Sequence, residues 1–343
     1  MTCAKTEPSL ATAAAQQFDA MTQTSTLVAH ALAENPPDQW LQGQSLWVIA
    51  MGAASATGQV LAEALRDRGV AAVNLEAAAA SRHAQAGLMA DHYLLISQSG
   101  RSPETVNAAR HLPKDRRLVV TGDPASPLAG LATWLVPLAP MVDSAVYMMG
   151  NTCTLVALAA LARAAGHDFG EGETMVDLAR RAYQQNQDQA KMAAQRLATL
   201  TSVDVVGQGQ SFGAAQAAGL LWREAGALPT AVFTTRQYLH GPMEALRPGG
   251  GVVLFGGQRE AELASQVQAA GQVAIQIVVG SDGSQLSGGS GQVVHFDHPA
   301  TGLNRMAVQV VLSQLIAIEL AKLRGVAPGQ WRFPQPDTKL SES

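Results

Sequence analysis

The chain has two cysteines among its 343 residues, Cys3 and Cys153. Two cysteines cannot frame a disulfide scaffold, and these two lack the spacing of metal ligands. Cys153 stands in an apolar stretch and reads as a small buried hydrophobe. Charged residues make up 15% of the chain and sum to a net charge of −4, with no basic run. That leaves no positive field to gather nucleic acid. Residues 1–7 have no basic region leading into an apolar core, so a signal peptide is not expected. Residues 151–165 are apolar but short for a membrane span, and Arg163 interrupts them. The expectation is a cytoplasmic protein with no membrane or nucleic-acid partner. Two nucleotide signatures are also missing: no G-x-G-x-x-G fingerprint and no Walker Gly-Lys-Ser/Thr.

What is present is a hydrophobic content of 47%, which indicates a folded globular chain. Its length suits two ordinary domains, each with its own core. Helical spacing covers residues 9–34, and Asn35-Pro36-Pro37-Asp38 stops it. Strands are expected at 45–51, 70–75, 93–96, 117–121 and 133–138. Helices are expected at 56–68, 102–111 and 147–165. A glycine- and acid-rich connection at 166–174 and one long polar helix at 175–200 follow. The pattern then restarts, with strands at 203–206, 230–235, 251–255, 273–279 and 293–296 and helices at 211–225 and 302–324. A Gly/Ser-rich loop covers 280–291. Strands alternating with helices predict an α/β fold with parallel sheets flanked by helices.

One stretch organises the chain, residues 92–105, His-Tyr-Leu-Leu-Ile-Ser-Gln-Ser-Gly-Arg-Ser-Pro-Glu-Thr. Tyr93, Leu94, Leu95 and Ile96 form a short apolar strand. Ser97, Gln98, Ser99 and Gly100 turn the chain. Ser102, Pro103 and Glu104 read as N-cap, first helical position and first-turn acid. Hydroxyls and free amides then converge on the positive end of a helix dipole, which suits an anion and above all a phosphate. An ordinary capped strand-to-helix turn is the structural alternative.

The two halves are related. Val48-Ile-Ala-Met-Gly52, with a helix ending at Gly69, matches Val205-Val-Gly-Gln-Gly209, with a helix ending at Gly226. The offset is 157 residues without a gap, so one fold occurs twice. Gly256-Gly257-Gln258-Arg259 stands where the serine loop would be in the second half. The first half is thus expected to hold phosphate and the second to do something else.

Two residues of the second half carry candidate chemistry. Glu224 lies near the end of an apolar helix, where burial raises a carboxylate toward the range of a useful base. Taken alone, such a residue is more often an exposed helix-end acid paired with a nearby basic side chain. His240, followed by Gly241-Pro242, has the titration range of a proton shuttle; a structural loop histidine is the alternative. His295 and His298 form an H-x-x-H that is a weak metal signal, and no metal or other cofactor is expected.

These residues resemble the double-SIS (sugar isomerase) proteins. That group includes the isomerase half of glutamine–fructose-6-phosphate aminotransferase, glucosamine-6-phosphate deaminases and fructosamine-phosphate deglycases. The resemblance rests on residues 95–105, on Trp222-Arg223-Glu224-Ala225 and on His240-Gly241-Pro242, and spans nearly the whole chain. It implies two tandem flavodoxin-like SIS domains at 46–170 and 201–325. N-terminal helices (1–45), a connecting helix (171–200) and a tail over the active site (326–343) complete the expected division. It implies that Ser97, Gln98, Ser99 and Ser102 cradle the phosphate and that Glu224 moves a proton between C1 and C2. It implies further that His240 opens the sugar ring across a homodimer interface. Lys339 would reach the site from the tail and form a Schiff base with a ketose.

Three departures stand out. Ala53 and Ala54 follow Gly52 where Thr and Ser are usual, with Ser55 one position on as a substitute. Leu221 replaces a lysine three residues before the base, and Gln237 replaces an acid before His240. The first expected strand begins at Ser45, too early for a glutaminase domain to precede it. The resemblance therefore implies an amino-sugar phosphate isomerase or deaminase without glutaminase activity. Two alternatives are a simple aldose–ketose isomerase and a non-catalytic sugar-phosphate sensor.

Overall fold

The computed structural model describes residues 7–36, 45–169, 174–280, 292–333 and 335–341. The first half runs α1 (Leu10–Glu34), β1 (Ser45–Ala50), α2 (Ala53–Arg66), β2 (Ala71–Glu76), α3 (Ala77–Gln85), β3 (His92–Ile96), α4 (Pro103–His111), β4 (Arg117–Thr121), β5 (Trp134–Pro137) and α5 (Met149–Ala164). Helices α6 (Met175–Gln185) and α7 (Gln187–Ala198) lead into the second half. There follow β6 (Ser202–Gly207), α8 (Gln210–Gly226), β7 (Thr230–Thr234), α9 (Thr235–Leu239), β8 (Gly250–Phe255), α10 (Gln258–Ala269), β9 (Val273–Val279), β10 (Gln292–Phe296) and α11 (Gly302–Arg324).

The expected α/β class is found, as two five-stranded parallel sheets flanked by helices. The first has the order β2-β1-β3-β4-β5 and the second, read from its far edge, β7-β6-β8-β9-β10. The two orders are the same once each half is counted from its own first strand. Strands β4 and β8 are buried at every residue, as befits central strands covered on both faces. The repeat extends to single dihedral angles. Gly52 has φ 55° and ψ −134°, and Gly209 has φ 57° and ψ −129°. A left-handed φ of this kind is open to glycine without steric cost. Each glycine therefore turns strand into helix in one step, and α2 starts at Ala53 rather than Ala56.

Other expectations need correcting. The polar segment after residue 174 is two helices, broken at Asn186. That side chain is buried and donates from Nδ2 to the His295 carbonyl at 2.7 Å, so the chain bends where it meets β10. Helices α3, α9 and α10 were not anticipated; α3 begins in an alanine run with no apolar stripe to mark it. Residues 170–173 and 281–291, where the glycine-rich connection and the Gly/Ser loop fall, lie outside the described residues, as does Cys3. Cys153 is fully buried, and burial pushes its thiol up to about 12, so it is inert packing.

One apolar core runs through both halves and joins residues such as Val60, Leu158, Trp222 and Leu312. Helix α11 lies at its centre against α6, α7 and α8. It is long and apolar enough to cross a membrane, with a mean hydropathy of 1.6, but 83% of that stretch is buried inside the fold. Its composition is that of a core helix. The halves meet closely where α2 crosses α8. A Cβ on Gly213 would lie 2.3 Å from Val60 Cγ2 and 2.8 Å from the Ala56 carbonyl oxygen. Gly213 and Ala56 are themselves repeat partners, so the crossing lies on the local pseudo-symmetry axis.

Gly213→Val forces these helices apart. Overpacking of this kind costs about 1–3 kcal/mol. The expected result is a lowered melting temperature in calorimetry, with far-ultraviolet circular dichroism unchanged below the transition.

Candidate active site

Strand β3 delivers Ser97 to the carboxyl edge of the first sheet, where the Ser97 amide donates to the Val120 carbonyl at 3.1 Å. Gly100 then takes φ 61°, and a Cβ there would fall 2.0 Å from Ser126 Oγ, so only glycine fits. Ser102 occupies the N-cap position of α4 but makes no capping bond. Its hydroxyl instead faces Ser97 Oγ at 3.3 Å. The first turn of α4 therefore keeps its amides free of a side-chain cap, and two hydroxyls point at the same spot. This is the arrangement an anion site needs.

The loop forms one wall of a cavity of about 580 Å³. Ser97, Gln98 and Ser102 line it from the first half, Glu224 from the second and Lys339 from the tail. The tail is held by the loop itself. The Leu340 amide donates to the Arg101 carbonyl at 2.8 Å, and Arg101 Nη1 donates to the Ser341 carbonyl at 3.3 Å. Arg101 Nη2 pairs with Asp123 Oδ2 at 3.2 Å. Lys339 Nζ donates to Ser99 Oγ at 3.1 Å.

The electrostatics favour proton transfer and amine chemistry. Burial alone raises the Glu224 pKa above the usual carboxylate value. The repeat explains why nothing offsets that burial. Asp67, the repeat partner of Glu224, accepts a hydrogen bond from Gln210 Nε2 at 3.0 Å. The position matching Gln210 in the first half is Ala53, which has no donor to offer. Lys339 is exposed as a residue, yet partial burial of its amine at the cavity wall lowers its pKa, opposed by the charge of Glu104. A raised carboxylate and a lowered amine are the shifts a base and an imine-forming nucleophile require.

Other expected site residues are placed elsewhere. Ser55 does not line the cavity; its hydroxyl and carbonyl accept from Asn74 Nδ2 at 3.0 and 3.1 Å. His240 is exposed after α9 and lies outside the cavity of this single chain. His295 is structural, with Nε2 2.8 Å from the Gly280 carbonyl oxygen. No metal-holding cluster occurs among the described residues. The second-half loop that replaces the serine turn is closed by side chains of the elements around it. Glu260 packs against Gly256 and accepts from Thr235 Oγ1 at 2.6 Å, and Gln276 Nε2 donates to the carbonyls of Gly256 and Gly257.

Sequence reasoning missed Tyr147 and Trp331, which also line the cavity. Tyr147 is placed by Asp143, whose carboxylate accepts from the amides of Ser144, Met148, Met149 and Gly150 at 2.8 to 3.1 Å. An acid five or six residues ahead of a helix in a loop without other marks is a faint signal. Trp331 lies in a Pro-rich tail with no periodicity to read.

Two outcomes are expected. A hydrogen bond to a charged group is worth about 1.5–3 kcal/mol. Ser97→Ala and Ser102→Ala should therefore each weaken sugar-phosphate binding in calorimetry by about tenfold or more, whereas Ser55→Ala should not. Glu224→Gln should stabilise the fold in a pH-dependent way. Because the folded-state pKa of Glu224 is raised, the folded state holds its proton longer, and stability falls as pH rises from the unfolded to the folded pKa. The variant lacks that loss, so its melting temperature should match wild type at low pH and exceed it above the window.

No protein-family model and no curated protein matches the sequence. Solved structures do match over nearly the full length. The C-terminal domain of glucosamine-fructose-6-phosphate aminotransferase from Francisella tularensis superposes with a TM-score of 0.77 at 14% identity, over 96% of this chain and 99% of that one. Tagatose-6-phosphate ketose/aldose isomerase from Escherichia coli gives 0.74 at 15%, over 94% and 96%. Glucosamine-6-phosphate deaminase from Thermotoga maritima gives 0.69 at 14%, over 93% and 98%. With its repeated sheets and its serine loop at the carboxyl edge of the first, the chain has the fold of the double-SIS phosphosugar isomerases.

Proposed function

We propose that the protein is a phosphosugar isomerase that deaminates a hexosamine 6-phosphate or a related amine-substituted sugar phosphate. The observation that carries this reading is the shared cavity: the serine loop, Glu224 and Lys339 open on the same space. The phosphate would bind Ser97, Gln98, Ser99, Ser102 and the amides of α4. His240 from a second copy of the chain would open the ring, so the working unit is a homodimer of the cytoplasm. Glu224 then takes the C2 proton of the open-chain aldehyde and returns it to C1, while a proton passes from the C2 amine to O1, leaving an alcohol at C1 and an imine at C2. The Lys339 amine adds to that carbon and expels ammonia, and water hydrolyses the lysine imine to the ketose phosphate. The sum is substrate and water in, ketose phosphate and ammonia out.

One observation favours a second reading. His240 is exposed in the single chain, so a protein that stays monomeric would bind the sugar phosphate without opening it, as a sensor does.

Ammonia release from glucosamine 6-phosphate, with fructosamine 6-phosphate adducts alongside, tests the proposal. Glu224→Gln is expected to abolish release and deuterium exchange at C2; full activity in that variant would sink the role of Glu224. Borohydride should trap a ketose phosphate on Lys339, seen by mass spectrometry. Mixing the inactive Glu224→Gln and His240→Ala chains should restore part of the activity if the histidine acts across the dimer. Isomerisation without ammonia would make the protein an aldose–ketose isomerase, and silence with retained binding would make it a sensor.

A further inference from the structure

The lining of the active-site cavity divides by chemistry. Ser97, Gln98 and Ser102 bring hydroxyls and an amide, whereas Met51, Ala53, Ala54, Ala145, Leu220 and Trp331 bring apolar groups. At about 580 Å³ the cavity lies within the roughly 300–1,000 Å³ of sites for drug-sized ligands, so a sugar phosphate fits together with a substituent.

The apolar part adjoins the candidate base. Leu220 precedes Glu224 by one helical turn in α8, which sets both side chains on one face of the helix. Ala53, Tyr147, Leu220 and Glu224 border a narrow recess as well as the cavity, so they stand side by side. The Tyr147 hydroxyl is engaged with Thr154 Oγ1 at 3.0 Å. A group on the sugar nitrogen lies close to C1 and C2, and therefore meets this wall wherever Glu224 can reach those carbons.

Trp331 is the largest side chain of that wall. It is 52% exposed, and among the described residues it makes no hydrogen bond and no ring contact. The tail that carries it runs close against the cavity: a Cβ on Gly329 would lie 2.7 Å from Ala145 Cβ. An uncovered indole is area that an apolar ligand group can remove from water. Charge points the same way. The cavity is lined by two carboxylates, Glu104 and Glu224, and by one amine, Lys339. That amine already donates to Ser99 Oγ at 3.1 Å on the serine loop, and Arg101 of the same loop is bound to Asp123 and Ser341. Among the lining residues no cation remains to receive a carboxylate on a substituent.

We propose that the amine carried by the sugar phosphate bears a neutral apolar group, aryl or alkyl, which covers Trp331 and Leu220. The turnover of such a ligand rests on the reaction proposed above, with an N-substituted 1-amino-1-deoxyketose 6-phosphate as substrate. A proton passes from C1 to C2 and another from nitrogen to O2, leaving an imine at C1. One water splits that imine into an aldose phosphate and the free amine.

The test is calorimetric titration of the purified protein with 1-amino-1-deoxyglucitol 6-phosphates, whose C2 alcohol prevents turnover. The amine is left unsubstituted, benzylated or 4-carboxybenzylated. The benzyl compound is expected to bind about tenfold tighter than the unsubstituted one, and the added carboxylate to remove that gain. Trp331→Ala is expected to bring the ratio of benzyl to unsubstituted affinity back toward one. Equal affinities, a benzyl preference untouched by Trp331→Ala, or tightest binding of the carboxybenzyl compound would overturn the apolar seat. Amine release from the benzylated and unsubstituted 1-amino-1-deoxyfructose 6-phosphates is followed alongside. Release without a benzyl preference in binding would overturn the seat and leave the enzyme reading standing. A Trp331-dependent preference with no release from any compound would support the seat and defeat the enzyme reading.

Discussion

Helix α8 touches α2 across a contact that tolerates no side chain at Gly213, and the candidate site depends on that approach. Ser97 and Ser102 belong to the first sheet, Glu224 to a helix of the second. Of the two carboxylates that line the cavity, Glu104 comes from the loop's own half and Glu224 from the other. The near-symmetric crossing carries the end of α8 past the start of α2, so Glu224 arrives beside Ala53 and Gly52 at the mouth of the loop.

The same pseudo-symmetry gives meaning to a departure that looked like a loss. Ala53 and Ala54 remove the hydroxyls a ligand would use after Gly52. At the symmetric position, however, Gln210 donates a hydrogen bond to Asp67, which is exposed. Ala53 cannot do this to Glu224. Its small side chain keeps the carboxylate unpaired and desolvated, which is the condition for a raised pKa. One crossing thus has two different ends, a hydrogen-bonded acid at one and a desolvated acid at the other.

Much of the fold was legible because its signals are local. The apolar runs of β3, β4 and β9 and the glycine turns are readable in single windows, and the 157-residue offset ties them into a repeat. The serine loop was legible for the same reason. What escaped notice depends on distant contacts. The break at Asn186 is made by a carbonyl of β10, more than a hundred residues on. Ser102 looks like a cap by position, and its proximity to Ser97 turns it from that role. Ser55 was offered as a ligand because it follows Gly52 closely, but Asn74 on the neighbouring strand claims it. The tail was the hardest segment: nothing in its sequence tells that Arg101 pins it by its backbone, yet those bonds bring Lys339 to the cavity.

The closed loop of the second half has a consequence for how the duplicated fold counts its ligands. Glu260 folds its carboxylate against Gly256, and Gln276 binds the carbonyls of the same turn. The turn is thereby furnished with an anion of its own, covalently attached and always at hand. A free phosphate at this turn would meet a tethered carboxylate of the same sign, so the two copies of the architecture offer an anion unequal receptions.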